Sequence, residues 1–222
     1  MFLYHVSILN RLGTDRGRGK FAKTPLIYTG ATEQGSWRVS TDCLWSSTTD
    51  IRGKVILEDL YEGMEDFFVG KLGVKSLTLQ MVYDELLQGP QQRSVEEIQI
   101  ILRTFNDLLC SEPVPLEPRP LLDARIFPVR YANGTVELCS ANVDFAIGDR
   151  QNLRDLFISQ VSILDFDLGD ARALRPFFEW AGLDRKYLSA SVTEKTIVSS
   201  HSANPIRLAN RDLKNKAYHI LR

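Results

Sequence analysis

The chain has 222 residues, 27 Lys and Arg against 28 Asp and Glu, three cysteines and 44% hydrophobic residues. Its 25% charged content is that of an average globular domain, which excludes wholesale disorder. No run approaches the roughly 18 uninterrupted apolar residues of a membrane helix, and Met1–Leu9 lacks the basic flank and small-residue cleavage site of a signal peptide, so a cytoplasmic or nuclear protein is expected.

The first forty residues are the least regular. Gly13–Lys20 (GTDRGRGK) reads as a flexible cationic loop, and Leu26–Thr29 and Trp37–Thr41 as two short strands forming a hairpin across a polar, Gly-containing segment. Between Ile56 and Val69 the residues Ile56, Leu57, Leu60, Tyr61, Met64, Phe67 and Phe68 recur at spacings of three and four. That period predicts an amphipathic helix. A second helix is predicted over Ser76–Gln88, stopped by Gly89-Pro90. Ser94-Val95-Glu96-Glu97 is a capping box, in which the Ser hydroxyl and the Glu carboxylate each satisfy the other's backbone amide. It opens a third helix through Cys110, with Ile98, Ile101, Leu102, Phe105, Leu108 and Leu109 facing the core.

Ser111–Pro120 (SEPVPLEPRP) holds four of the nine prolines and reads as a semi-rigid extended connector. Beyond it, Ala124–Tyr131 and Val136–Ser140 flank Asn133-Gly134, a dipeptide that tolerates positive φ at both central positions of a hairpin turn. Asp149 is placed to cap a helix through Phe157, Asp170 to start another reaching Trp180, and Gly182 to close it. A last basic helix is predicted over Asn210–Arg222. The expected fold class is α+β, mostly helical, with one or two small antiparallel hairpins or sheets. Residues 1–110 form a hairpin plus three-helix part, 111–120 the connector, and 121–222 a hairpin plus helical part, with the whole packed as one unit.

The near-neutral total hides a segregation. Residues 1–40 hold six basic groups against two acidic, residues 205–222 five against one, and the middle 16 against 25. Basic ends around an acidic body suit contact with an acidic partner, or docking of the ends on the body itself. The candidate interaction surface is the C-terminal stretch carrying Arg207, Arg211, Lys214 and Lys216, with Leu213, Ala217 and Ile220 interleaved. Nucleic acid is a weaker candidate partner through the same residues. Trp37, Trp45 and Phe67-Phe68 read as core aromatics.

Chemical motifs fail on inspection. Asp15-Arg16-Gly17-Arg18-Gly19 matches the D-x-G-x-G of gyrase-type ATPases, yet only fourteen residues precede it, too few for the helix and strand that motif follows. Gly13 and Gly19-Lys20 are one residue too far apart for a P-loop, and Phe21 stands where a Mg²⁺-binding hydroxyl is required. Cys43, Cys110 and Cys139 are far apart and form no C-x-x-C pair; His5, His201 and His219 are scattered; and no G-x-S-x-G occurs. No cofactor and no metal site is predicted. The sole catalytic candidate is the acidic cluster Asp165, Asp167 and Asp170, with Arg150 or Arg154 as a basic companion.

Cys43-Leu44-Trp45-Ser46-Ser47, the helix-like Leu57–Tyr61, Phe67-Phe68-Val69 and Leu72-Gly73-Val74 resemble a stretch of the large fungal and plant proteins of the NO VEIN/sacsin-like group. Ile126–Val129, Asp144–Arg150, Leu164–Phe166 and Tyr187-Leu188-Ser189, followed by Val192 and Glu194, are similar in the same order. Family members carry an N-terminal gyrase-type ATP-binding domain followed by long regions of unknown role. The resemblance lies in the long region, so no nucleotide-binding residue carries over, and it implies a fragment or a shortened free-standing relative. The expectation is a non-catalytic interaction or scaffolding module, through a protein partner or self-association. The alternative is a small enzyme whose pocket is assembled from residues distant in sequence.

Overall fold

The computed structural model describes residues 14–30, 35–88, 93–111 and 115–193. Gly89-Pro90, the three histidines and the basic C-terminal stretch, including Arg207, Arg211, Lys214 and Lys216, lie outside them.

The described residues open on a helix where a loop is expected: α1, Thr14–Lys23. Two glycines inside a helix cost about 1 kcal/mol each relative to alanine, so propensity alone does not form it. Docking does. Phe21 is fully buried with its ring edge-on to Phe67, the centroids 6.5 Å apart. Arg18 donates to the carbonyls of Lys71 (2.6 Å) and Gly70 (2.8 Å). The predicted hairpin follows as β1 (Ile27–Thr29) and β2 (Ser36–Arg38), with Tyr28 opposite Trp37. Trp37 is 47% exposed and rests on Tyr28 rather than entering the core.

The helix expected over Ile56–Val69 does not form. Instead β3 (Cys43–Leu44) pairs in parallel with β4 (Val55–Ile56). The pairing continues as Leu57 N donates to the Leu44 carbonyl and Glu58 N to the Trp45 carbonyl. Turns follow, with Gly63 at φ 74°, and then a π-helix at Asp66–Lys71. Leu57, Phe67 and Phe68 are buried and Ile56, Leu60, Tyr61 and Met64 half-buried, carried by three different backbone conformations. Leu57, Phe67 and Phe68 join Phe21, Ile27 and Trp45 in a smaller core cluster.

Helices α2 (Leu79–Gln88) and α3 (Val95–Ser111) appear where predicted. The capping box is formed as read: Ser94 N donates to Glu97 Oε2 at 2.8 Å, and Glu97 N to Ser94 Oγ at 3.2 Å. The proline-rich connector ends early, because α4 (Arg119–Asp123) starts within it, Pro120 occupying the first turn where a missing amide is harmless. Nor does the connector divide the core. Leu86, Ile98 and Phe105, before it, share one large cluster with Phe127, Phe177 and Phe178, after it.

A three-stranded antiparallel sheet, ordered β6-β5-β7, lies beyond: β5 (Phe127–Arg130), β6 (Val136–Cys139) and β7 (Ile163–Leu164). The β5–β6 loop differs from the expected two-residue turn. Gly134 alone takes positive φ (86°), donating to the Tyr131 carbonyl, while Tyr131 N donates to the Thr135 carbonyl. Asn133 works through its side chain, accepting from Thr135 N and Oγ1. This is a turn closed by a glycine bulge.

Four short helices finish the described chain: α5 (Gln151–Phe157), α6 (Leu168–Ala173), α7 (Arg175–Trp180) and α8 (Leu188–Ser191). Two expected caps are reassigned. Asp149 does not cap α5, and Asp170 does not start α6; Asp167 does, accepting from Asp170 N at 2.6 Å. Gly182, at φ 69°, ends α7 as expected. The fold is α+β and mostly helical, its sheets small and antiparallel except for the β3–β4 pair. Among the described residues no helix is long and apolar enough to cross a membrane.

Candidate functional site

The acidic run after β7 does not form a common site, because each carboxylate is engaged separately. Asp165 Oδ1 accepts from Arg130 Nε on the neighbouring strand at 2.8 Å, Asp167 caps α6, and Asp170 Oδ2 accepts from Arg103 Nη2 of α3 at 2.5 Å. Arg154 is turned to the Phe166 carbonyl, and Arg150 is the residue preceding α5. Among the described residues no group of three or more His, Cys, Asp or Glu converges as metal ligands would. Asp165 and Asp170 fasten the β7–α6 corner to the sheet and to α3.

A different set of residues does converge. Ile147 and Tyr187 form a parallel bridge, Ile147 N donating to the Lys186 carbonyl and Leu188 N to the Ile147 carbonyl. This bridge brings the segment before α5 alongside the one leading into α8, forty residues later. Asp149 is thereby placed to accept from Ser189 N (3.1 Å) and Ser189 Oγ (2.5 Å), capping α8 instead of α5. Arg172 of α6 donates from Nε to the Asp149 carbonyl at 3.4 Å. Together Asp149, Ala171, Arg172, Arg175, Tyr187 and Ser189 line a cleft of about 470 Å³, within the size range of small-molecule sites.

The electrostatics of this cleft are mixed. Arg175, exposed at the start of α7, pairs with Glu179 one turn along at 2.7 Å, and that bond holds its guanidinium firmly protonated. The Tyr187 hydroxyl is buried and has no hydrogen-bond partner among the described residues. Burial pushes its pKa up, Arg175 opposing and Glu179 and Asp149 reinforcing the shift, so it is a neutral donor and acceptor. Next to it in sequence, Lys186 donates to the Val143 carbonyl and sits 4.1 Å above the Phe145 ring; burial lowers its pKa. Sequence reasoning missed the cleft. The available signal was Arg172 and Arg175, three residues apart at a helix junction, but nothing local ties them to Asp149 and Tyr187.

A second hollow, of about 270 Å³, is bordered by Ser47–Asp50, Arg93, Glu97 and Ile100. Behind it Glu85, 7% exposed, accepts two bonds from Arg93 and one from Arg52 N, while Arg93 also reaches the Asp50 carbonyl. These bonds join the β3–β4 connection to α2 and to the residue ahead of the α3 cap.

With this α+β framework and its polar cleft in place, the comparisons with known proteins add a family. A model described as a domain of unknown function, DUF8348, matches residues 80–192, just over half the chain, and the chain belongs to that family. The matched segment contains nearly all of the larger core and every residue of the 470 Å³ cleft. No curated protein and no solved structure matches the chain.

Proposed function

We propose that the protein is a non-catalytic interaction or scaffolding module of the cytoplasm or nucleus, related to the interior region of the large NO VEIN/sacsin-like proteins. The observation that supports this best is a run of uncovered apolar side chains at the end of α5. Leu156 is 60% exposed, Ile158 37% and Val161 38%, all within six residues. Clustered apolar exposure of this kind marks contact surfaces, whereas scattered single residues do not. The partner is another protein or a second copy of the chain, with the basic residues Arg207, Arg211, Lys214 and Lys216 supplying an additional contact.

Sedimentation equilibrium of the full chain tests this reading, together with co-purification from cells. Replacing Leu156 and Val161 by Lys abolishes self-association or partner capture while leaving far-ultraviolet circular dichroism unchanged. A double variant that associates and captures like the wild type would sink the surface assignment.

The second reading, a small enzyme assembled from sequence-distant residues, draws support from the cleft, which joins Asp149 to Tyr187 and Ser189 across forty residues. It predicts time-dependent conversion of a compound in a metabolite mixture, lost in Tyr187→Phe. Ligand depletion without conversion would favour the binding module.

A further inference from the structure

We propose that the cleft beneath Arg172 and Arg175 binds a small organic oxyanion, a phosphate ester or a carboxylate, that also carries a hydroxyl group. Both arginines are exposed at the junction of α6 and α7 and line the same cleft. Each commits only Nε to the protein, Arg172 to the Asp149 carbonyl and Arg175 to Glu179. Their terminal amino groups have no protein partner among the described residues. A guanidinium presents paired donors in a plane, the geometry that phosphate and carboxylate groups match with two parallel bonds. The two groups together therefore define the oxyanion end of the site.

The second determinant is Tyr187, which lines the same cleft. Its hydroxyl is buried yet unpartnered, which buried hydroxyls in folded proteins generally avoid. A ligand hydroxyl reaching this group supplies the missing partner. Asp149 stands beside it, pinned by both bonds from Ser189, so a ligand hydroxyl has an acceptor as well. Asp149 also reinforces the upward shift of the Tyr187 pKa, so it disfavours a second negative charge beside that hydroxyl. That combination selects an anion at the arginines and a neutral hydroxyl at Tyr187. The volume, about 470 Å³, is several times what an inorganic phosphate fills, leaving room for a carbon body against Ala171 and the Tyr187 ring. The exposed residues at the end of α5 contribute nothing to the cleft, so this inference stands apart from the interaction reading.

Isothermal titration calorimetry and thermal shift on the full chain, with glycerol 3-phosphate, malate and inorganic phosphate as probes, test the proposal. At least one organic probe binds saturably with a Kd of about 1 mM or tighter, and inorganic phosphate more weakly, because it leaves Tyr187 unpaired. Binding of glycerol 3-phosphate alone assigns the oxyanion to a phosphate ester, and of malate alone to a carboxylate. The variant Arg172→Gln with Arg175→Gln weakens binding at least about tenfold, the loss of charge-assisted paired bonds, with only a small change in the unliganded melting temperature, since both side chains are exposed. Tyr187→Phe weakens the organic probes and leaves inorganic phosphate unchanged. No saturable binding by any probe would overturn the proposal. So would affinities unchanged in the arginine variant, or inorganic phosphate binding as tightly as the organic probes.

Discussion

At the scale of single residues, burial decides what the polar groups can do. Glu85 and Arg93 are 7% and 10% exposed, and their 2.5 Å pair is further bonded to the backbone of Asp50 and Arg52. Removing one partner leaves the other charge buried and uncompensated, so Glu85→Ala is expected to destabilise by about 3–5 kcal/mol, read as a lower urea midpoint. Replacement of the exposed Glu179, whose pair with Arg175 is solvated, changes stability by under about 1 kcal/mol in the same assay. Cys43 is buried in the smaller core, and burial, reinforced by Asp42, pushes its thiol pKa up to about 11 from 9.0. The unfolded chain releases this proton near pH 9 and the native chain near pH 11. Between those values the native state binds more protons, so stability falls as pH rises. Cys43→Ala removes that portion of the alkaline loss, which urea melts at pH 8, 9.5 and 10.5 would reveal as a flatter profile. None of these burial effects is visible in residue type, because a Glu beside polar neighbours reads as solvated.

At the scale of elements, local chemistry and tertiary contact compete, and the winner differs along the chain. Helix α3 carries the two local signals that mark a helix, a capping box and a three-and-four apolar pattern. Ser94→Ala is therefore expected to cost about 1 kcal/mol, measured as a lower melting temperature, with Glu97→Ala adding a further loss because its bond from the residue-94 amide does not need the hydroxyl. The segment 56–69 shows the reverse. Its apolar spacing suits a helix, but Gly53 and Gly63 adopt positive φ and the start is captured by β3. Strand pairing with a residue a dozen positions earlier leaves no trace in a helical period. Helix α1 is the complementary case, poor in propensity and held by Phe21 and Arg18 against a π-helix more than forty residues away.

At the scale of the molecule, the two apolar clusters divide between Val74 and Leu79, well ahead of the proline-rich segment. The larger cluster runs from Leu79 to Leu183 and coincides with the family segment 80–192. A fragment spanning residues 76–193 is accordingly expected to fold and unfold cooperatively by itself. It would be less stable than the full chain, having lost the Asp50 and Arg52 contacts to Arg93 and Glu85. A fragment with no cooperative transition would show that the smaller cluster is required for the larger one.

The amino-acid sequence by itself determined the α+β class, helices α2 and α3 with their cap, and the two antiparallel hairpins, because each rests on interactions within a few neighbouring residues. It also identified Asp165, Asp167 and Asp170 as an acidic group. Only the tertiary structure decided that Arg130, an α6 backbone amide and Arg103 each occupy one of them, and that Asp149, Arg172, Arg175 and Tyr187 meet around one cleft. The reason is physical: a carboxylate's role is set by the nearest guanidinium or amide in space, and here those partners come from strands and helices as many as 67 positions away.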